Sequence, residues 1–229
     1  MNKKAIILCR GASLEQIKNL SDERYDLCVI VNDWKREVQH DYVSEFLHKQ
    51  NKIIHYVCRE SFSVLTKELY EDYNIDYVYL NVLRKEYEGC PPYRHPSMIR
   101  MILDSMNVKS KPLENTIMPY SEPREQTELR LPGFPTMGVL TTCHVPVCLG
   151  YKDVTVVGLD FYEAEYLTVC SSTLTKEAPK KSGIDKAPRM KRVLTNIIEK
   201  LPEVTFKFYT YSTYNPNLSN VQIFNERAK

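Results

Sequence analysis

The stretch at 135–163, PTMGVLTTCHVPVCLGYKDVTVVGLDFYE, carries the pattern that decides the fold. It predicts a turn, an apolar helix over 138–150, a short charged turn and a buried strand over 153–158. The strand pattern ends on a glycine, a carboxylate and two aromatic residues, in the order Gly158-Leu159-Asp160-Phe161-Tyr162. A strand that serves only the core does not need such an end, so this edge of the sheet is a candidate ligand site.

The alternation of strand and helix extends along most of the chain. Apolar strand patterns lie at 4–9, 25–32, 52–58, 75–82 and 204–211, and helical patterns lie at 13–20, 42–50, 63–73, 95–106 and 188–201. The strand patterns are apolar throughout rather than alternating, which predicts strands that are covered on both faces. We therefore expect an α/β fold, a three-layer Rossmann-like domain with a largely parallel sheet.

Residues 1–229 are expected to form one domain, because neither an internal repeat nor a linker divides the chain. Two stretches rich in polar residues and proline, 107–135 and 163–187, are predicted to be irregular excursions from it. Loops of this length are usually functional or mobile.

The composition limits the classes of partner. The hydrophobic fraction of 43%, the charged fraction of 26% and the net charge of +2 are those of a globular protein without bulk attraction to nucleic acid. Seven cysteines, several of them in apolar runs, predict free thiols in a reducing, cytoplasmic compartment, and no Cys/His spacing predicts a metal site. The apolar run at 5–9 is too short for a signal peptide, and no run is long enough to span a membrane. A peripheral membrane contact and a homo-oligomer stay open.

Four strand ends carry residues that suit a nucleotide. In a parallel sheet the ligand lies beyond the carboxyl ends of the strands, where loops and helix starts converge. A glycine allows close approach of the backbone, and free amides at a helix start can hold phosphate. These ends are the turn at Gly11 and Ser13, where Ser13 is also a predicted N-cap, then Asn32, Thr136, and the stretch 158–162.

Two segments resemble the bacterial sialyltransferases of glycosyltransferase family 42. ILCRGASLEQI at 7–17 is similar to their strand and GxGPSL turn, and the stretch at 136–163 is similar to their TSG…ALGYKEIYLSGIDFY segment. The second segment also resembles the S-type sialyl motif of animal sialyltransferases, and 203–218 resembles the family's late strand and Asn-rich loop. The resemblance covers nearly the whole chain except 107–135. It implies a GT-A-like sialyltransferase variant of the fold, with a flexible lid in the excursion at 163–187.

The implied activity is transfer of sialic acid, or a related sugar, from CMP-sialic acid to a glycan hydroxyl, with inversion and without a metal or other cofactor. Tyr162 and Tyr166 resemble tyrosines that hydrogen-bond the phosphate of the leaving group, a role that suits phenol donors in a water-poor site. The residues that match the family's nucleotide-binding positions are Gly11, Ala12, Ser13, Asn32, Thr136, Gly138, Gly158, Asp160 and Phe161.

The sequence departs from the family at several of these positions. Arg10 stands where the family has a small or amide residue, Ala12 replaces a proline, and Met137 replaces the serine of Thr-Ser-Gly. The family's general base is a histidine in the lid, and here no histidine follows His144.

Asp185 in the corresponding stretch, or His95 in the first half of the chain, is the candidate base. An aspartate suits this task only if burial raises its pKa. Two alternatives stay open: a nucleotide-binding module without transferase activity, and a metal-dependent, pyrophosphokinase-like enzyme.

Overall fold

The computed structural model describes residues 3–58, 66–81, 109–112, 137–164 and 186–225. Within these residues, eight strands form one sheet in the order β5-β4-β3-β2-β1-β6-β7-β8, and each of the seven pairs of neighbours is parallel. The strands are β1 (Lys4–Leu8), β2 (Leu27–Val31), β3 (Ile53–Cys58), β4 (Ile75–Asn81), β5 (Lys109–Pro112), β6 (Asp153–Val157), β7 (Thr205–Tyr209) and β8 (Val221–Phe224).

Helices cover both faces of this sheet. They are a 3-10 helix (Ala12–Leu20), a 3-10 turn (Glu37–Gln39), α1 (Asp41–His48), α2 (Lys67–Asp72), α3 (Met137–Leu149) and α4 (Ala187–Glu199). None of these described helices has the length and apolar character needed to cross a membrane.

The predicted three-layer α/β fold with a parallel sheet is confirmed, and the continuous apolar runs are its reason. In β1, Ala5 and Ile7 belong to the core on the side of α3 and α4, whereas Ile6 and Leu8 belong to the core on the side of α1 and α2. All four side chains are fully buried. Burial of an aliphatic side chain stabilises a fold by about 1.5–3 kcal/mol, so a central strand is apolar at every position.

Three details differ from the prediction. β5 lies inside the stretch 107–135, which was predicted to be wholly irregular, and β8 follows the last predicted strand. Both are four-residue strands at the edges of the sheet, and KSKP and VQIF lack the continuous apolar run of a central strand. The helix predicted at 13–20 is a 3-10 helix from Ala12 to Leu20. The helix predicted at 95–106 lies outside the described residues.

The order of the strands places a switch point beside β1. The chain proceeds from β1 through β2, β3 and β4 towards one edge, and from β6 through β7 to β8 towards the other. The connections therefore leave β1 and β6 in opposite directions, and a crevice forms between their carboxyl ends. This is where open α/β sheets bind their ligands.

Two buried histidines link the strands to the helices. His55 of β3 is fully buried between the Tyr70 hydroxyl and the Asn32 carbonyl, and His144 of α3 lies 2.7 Å from the Tyr56 hydroxyl through Nδ1. Burial lowers the pKa of each imidazole to about 4, an effect that the Asn32 carbonyl partly offsets for His55. Both rings are therefore neutral at pH 7, and His144 is a packed residue, as its position within the apolar helix suggests.

We predict that the free energy of unfolding falls as the pH is lowered from about 7 to about 5. The folded-state pKa of both histidines, about 4, lies below the unfolded value of about 6.5, so the unfolded chain binds more protons in this window. The loss for each histidine reaches at most about 3 kcal/mol near pH 4. Urea unfolding of the wild-type protein and of His144→Asn, whose amide oxygen accepts from Tyr56 but does not titrate, should show a shallower pH dependence in the variant. Equal slopes would mean that His144 titrates alike in both states.

Candidate functional site

An open cleft lies at the switch point, over the carboxyl ends of β1, β2 and β6. The empty space over it, open solvent included, is about 600 Å³. The described residues that line it are Cys9, Arg10, Gly11, Val31, Asn32, Gly138, Gly158, Leu159, Asp160, Phe161, Tyr162 and Ala164. The walls are therefore the loops after these three strands and the first turn of α3.

The loops after β1 and β6 interlock through their backbones. Cys9 N–H donates to the Val157 carbonyl at 2.7 Å, and Gly11 N–H donates to the Gly158 carbonyl at 2.8 Å. A Cβ on Gly11 would lie 2.3 Å from Asp160 Oδ2, and one on Gly158 would lie 2.5 Å from the Cys9 carbonyl oxygen. Gly158 also has φ 80°, which favours glycine. Both glycines are thus required because backbone meets backbone at the floor of the cleft.

Asp160 holds three loops with one buried carboxylate. Its side chain is 3% exposed. Oδ2 accepts from Ser13 N–H at 2.9 Å, and Oδ1 accepts from Ser13 Oγ at 2.6 Å, from Tyr211 N–H at 2.8 Å and from Thr210 Oγ1 at 3.0 Å. This carboxylate therefore joins the loops that follow β1, β6 and β7.

Ser13 does not cap the 3-10 helix as predicted. The N-cap is Gly11, which has no side chain, while Ser13 is the second residue of the helix and is fully buried. Both its amide and its hydroxyl are already bonded to Asp160. The physical reason is that a buried carboxylate needs hydrogen-bond donors, so the Ser13 hydroxyl donates to Asp160, whereas a cap would accept from a helix amide.

Asn32 enters the cleft in a left-handed conformation, with φ 67°. Its N–H donates to the Tyr56 carbonyl at 2.7 Å, and its carbonyl lies 2.5 Å from His55 Nε2. Because a carbonyl can only accept, Nε2 carries the proton, and Nδ1 accepts from the Tyr70 hydroxyl at 3.0 Å. Asparagine tolerates this φ better than most residues. The two hydrogen bonds to residues of β3 hold the backbone of Asn32 in this conformation.

Phe161 and Tyr162 form a tight turn in which both residues have a positive φ, 48° and 63°. Glu163 N–H donates to the Asp160 carbonyl at 2.8 Å, which closes a turn of the kind that normally uses glycine or asparagine. Two such residues cost about 1–3 kcal/mol each. Phe161 is buried against the Tyr214 ring at 4.9 Å between centroids, whereas Tyr162 is half-buried and lines the cleft.

Arg10 is a wall residue that pattern reasoning noted only as a departure. Its guanidinium is 9% exposed, and Nε donates to Oε1 of the fully buried Glu37 at 2.7 Å. This ion pair links the loop after β1 to the loop after β2, which also carries Asn32.

The predicted site residues separate into three groups. Seven of them line the cleft together, namely Gly11, Asn32, Gly138, Gly158, Asp160, Phe161 and Tyr162. Ala12 and Ser13 lie at the start of the 3-10 helix that follows β1. The rest, which include both candidate bases, fall outside the described residues: His95, Thr136, Tyr166 and Asp185.

Sequence reasoning missed the contribution of Thr210 and Tyr211 to the site. The predicted strand at 204–211 included both residues, whereas β7 ends at Tyr209, so the polar run TYST at 210–213 falls at the same edge of the sheet. Within the part of the chain that the structure describes, no three His, Cys, Asp or Glu side chains are grouped so that they could hold a metal ion.

Comparison with known proteins gives structural neighbours only. No protein-family model matches the chain, and no curated protein matches it. The solved structure of the sialyltransferase CST-II in complex with trisaccharide acceptor and CMP is similar over 95% of this chain and 83% of that chain, with a TM-score of 0.53 and 16% identity. CstII from Campylobacter jejuni in complex with a substrate analogue, CMP-3FNeuAc, is similar over 94% and 81%, with a TM-score of 0.51 and 16% identity. At this identity the likeness shows a shared fold.

We predict that Gly11→Ala lowers the free energy of unfolding by about 2–3 kcal/mol, because its Cβ overpacks against Asp160 and the Gly158 carbonyl. Gly150→Ala is the matched control, since φ is 74° there but no atom lies within 4 Å of the added Cβ. In the control, only the backbone strain of a non-glycine residue at positive φ, about 1 kcal/mol, lowers the free energy of unfolding. Urea denaturation compares the two, and equal losses would contradict the close approach at Gly11.

Proposed function

We propose that the protein is a sialyltransferase-like glycosyltransferase that transfers a sialic acid, or a related sugar, from a CMP-activated donor to a glycan hydroxyl. The observation that carries the proposal is the cleft at the switch point, which has Asn32 on one side and Tyr162 on the other. The fold shared with CST-II, whose solved structure contains CMP and a trisaccharide acceptor, supports it. The same support favours a glycan and a nucleotide sugar as the partners.

The proposed reaction is a single displacement. The acceptor hydroxyl oxygen attacks the anomeric carbon of the sugar, the bond from that carbon to the phosphate oxygen breaks, and CMP leaves with the electron pair. Inversion follows because attack and departure occur on opposite faces. We propose that the reaction needs no metal, because the hydroxyl of Tyr162 donates a hydrogen bond to the phosphate as its negative charge grows.

The donor and acceptor halves of the proposed site differ in their support. The backbone of Asn32 is held by hydrogen bonds to Tyr56 and His55, and Tyr162 lies in a turn closed at Asp160. Asp185 or His95 is proposed to take the proton of the acceptor hydroxyl. If neither does, the chain binds the nucleotide without transfer, and donor hydrolysis without glycosylation is then the expected product pattern.

The direct test measures the binding of CMP, CDP, UDP and ATP, each with and without magnesium, by the shift in melting temperature that each nucleotide causes. Stabilisation by CMP that does not depend on magnesium is expected, since a ligand that binds the native state raises the melting temperature. Stabilisation by ATP with magnesium alone would favour the pyrophosphokinase-like alternative. No shift with any nucleotide would contradict the proposal.

We predict that Tyr162→Phe lowers kcat for transfer by about 100-fold while the Kd for CMP changes by less than about 3-fold. The variant removes one donor to the leaving group and keeps the ring that packs beside the core. Tyr151→Phe is the control, because Tyr151 packs in the same core but precedes β6, at the opposite end of that strand. Steady-state kinetics and calorimetry measure the two quantities. Unchanged turnover in Tyr162→Phe would contradict the leaving-group role.

A further inference from the structure

The turn at Phe161 and Tyr162 needs support at both ends, because two aromatic residues adopt the left-handed region there. A strained backbone persists only where its surroundings over-determine it, and such places cluster at functional sites. One end of the turn is held by Asp160, whose carboxylate is fixed by donors from the two connections that follow β1 and β7. The other end is Glu163, and its contacts explain what holds the turn closed on the outer side.

Glu163 is tied to two other elements. Its Oε1 accepts from Lys191 Nζ of α4 and lies 3.3 Å from Thr213 Oγ1, and its Oε2 accepts from Thr213 N–H at 2.6 Å. Lys191 Nζ also donates to Thr213 Oγ1 at 2.8 Å. These three side chains therefore form a closed polar triangle between the turn, α4 and the loop after β7.

Lys191 contacts the turn a second time. Its Nζ lies 5.6 Å from the centroid of the Phe161 ring, within the range of a cation–π contact. The cation thus touches both the residue before Tyr162 and the residue after it. Burial raises the pKa of Glu163, but the hydrogen bonds from Lys191 and Thr213 outweigh it and hold the pKa below its usual range, so the Glu163 carboxylate is ionised at neutral pH.

A second Lys–Glu pair in the same molecule shows what an ordinary surface pair looks like. Lys152 and Glu203 lie 2.7 Å apart near the amino end of β6, with side chains that are 40% and 49% exposed. Lys191 and Glu163 are 18% and 32% exposed. Exposed pairs of the first kind contribute little, whereas the second pair is partly desolvated, shares a third partner and flanks a strained turn.

We propose that Glu163 and Lys191 are positioning residues, which keep the Phe161–Tyr162 turn in its left-handed conformation and thereby aim the Tyr162 side chain into the cleft. Neither residue lines the cleft among the described residues, so their effect passes through the backbone of the turn. The effect of the two residues on the conformation of the turn does not depend on whether the protein is an enzyme. Its catalytic consequence rests on the proposed function.

The structural part is tested by placing 3-fluorotyrosine at position 162 and recording the ¹⁹F spectrum of the full chain. Glu163→Gln and Lys191→Met are expected to shift and broaden the resonance, because the turn samples other conformations when the ion pair is lost. Lys191→Arg, which keeps the charge, is expected to restore most of the wild-type signal. Lys152→Met and Glu203→Gln are the matched controls and should leave the signal unchanged. A wild-type spectrum in Glu163→Gln and Lys191→Met, or an equal change in the controls, would overturn the inference.

The catalytic consequence is tested with CMP-sialic acid as donor. Misplacement of a reacting group by about 1 Å lowers rates by up to about 100-fold, so Glu163→Gln should lower kcat by about 10- to 100-fold while the donor KM changes by less than about 3-fold. A change in KM alone would show a binding role and overturn the positioning role. If the wild-type protein neither binds CMP nor transfers sugar, the proposed function fails, and the ¹⁹F comparison still decides the positioning inference.

Discussion

The buried carboxylate of Asp160 is the interaction on which the rest of the site depends. A charge with 3% exposure is destabilising unless donors surround it, and here two backbone amides and two hydroxyls supply the donors. These donors come from the loops after β1 and β7, on either side of β6 in the sheet. The carboxylate therefore draws neighbouring crossover connections together at the switch point. The two glycines at 11 and 158 follow from this, because the loops approach closely enough that a Cβ at either position meets a neighbouring atom.

Among the residues of the cleft, some are engaged mainly with the rest of the protein. Asp160, Ser13 and Phe161 lie in the two segments that resemble the sialyltransferases. The polar atoms of Asp160 and Ser13 and the ring of Phe161 nevertheless make their contacts within the protein. The motif GLDFY therefore argues more strongly for the fold than for the chemistry. The chemical proposal depends on Asn32 and Tyr162, which line the cleft and whose backbones are held in left-handed conformations.

Features of the fold and the site that depend on local sequence could be predicted, whereas features that depend on contacts between distant residues could not. The central strands were predictable because burial on both faces leaves a continuous apolar run, and the position of the cleft followed from the parallel sheet. The edge strands β5 and β8 were not, because each is four residues long and has a neighbour on one side only. Ser13 was misassigned as a cap because its partner Asp160 is 147 positions away in the chain. The positive φ of two successive aromatic residues has no local signal, since tertiary contacts impose it.

The departure at Arg10 fits the same physical logic. A buried ion pair is costly to form, but once its partners are in place it fixes their relative position, and loss of either partner leaves a buried charge. Arg10 and Glu37 join the loop after β1 to the loop that carries Asn32, and Asp160 joins the first of these loops to the loops after β6 and β7. The loop after β1 is thus held on both sides by charged groups.

A site whose dipoles are fixed before the ligand binds does not have to reorganise as charge develops. Under this condition hydrogen-bond donors stabilise a leaving group most. The described part of the cleft satisfies this condition through charged groups whose hydrogen bonds are made within the protein.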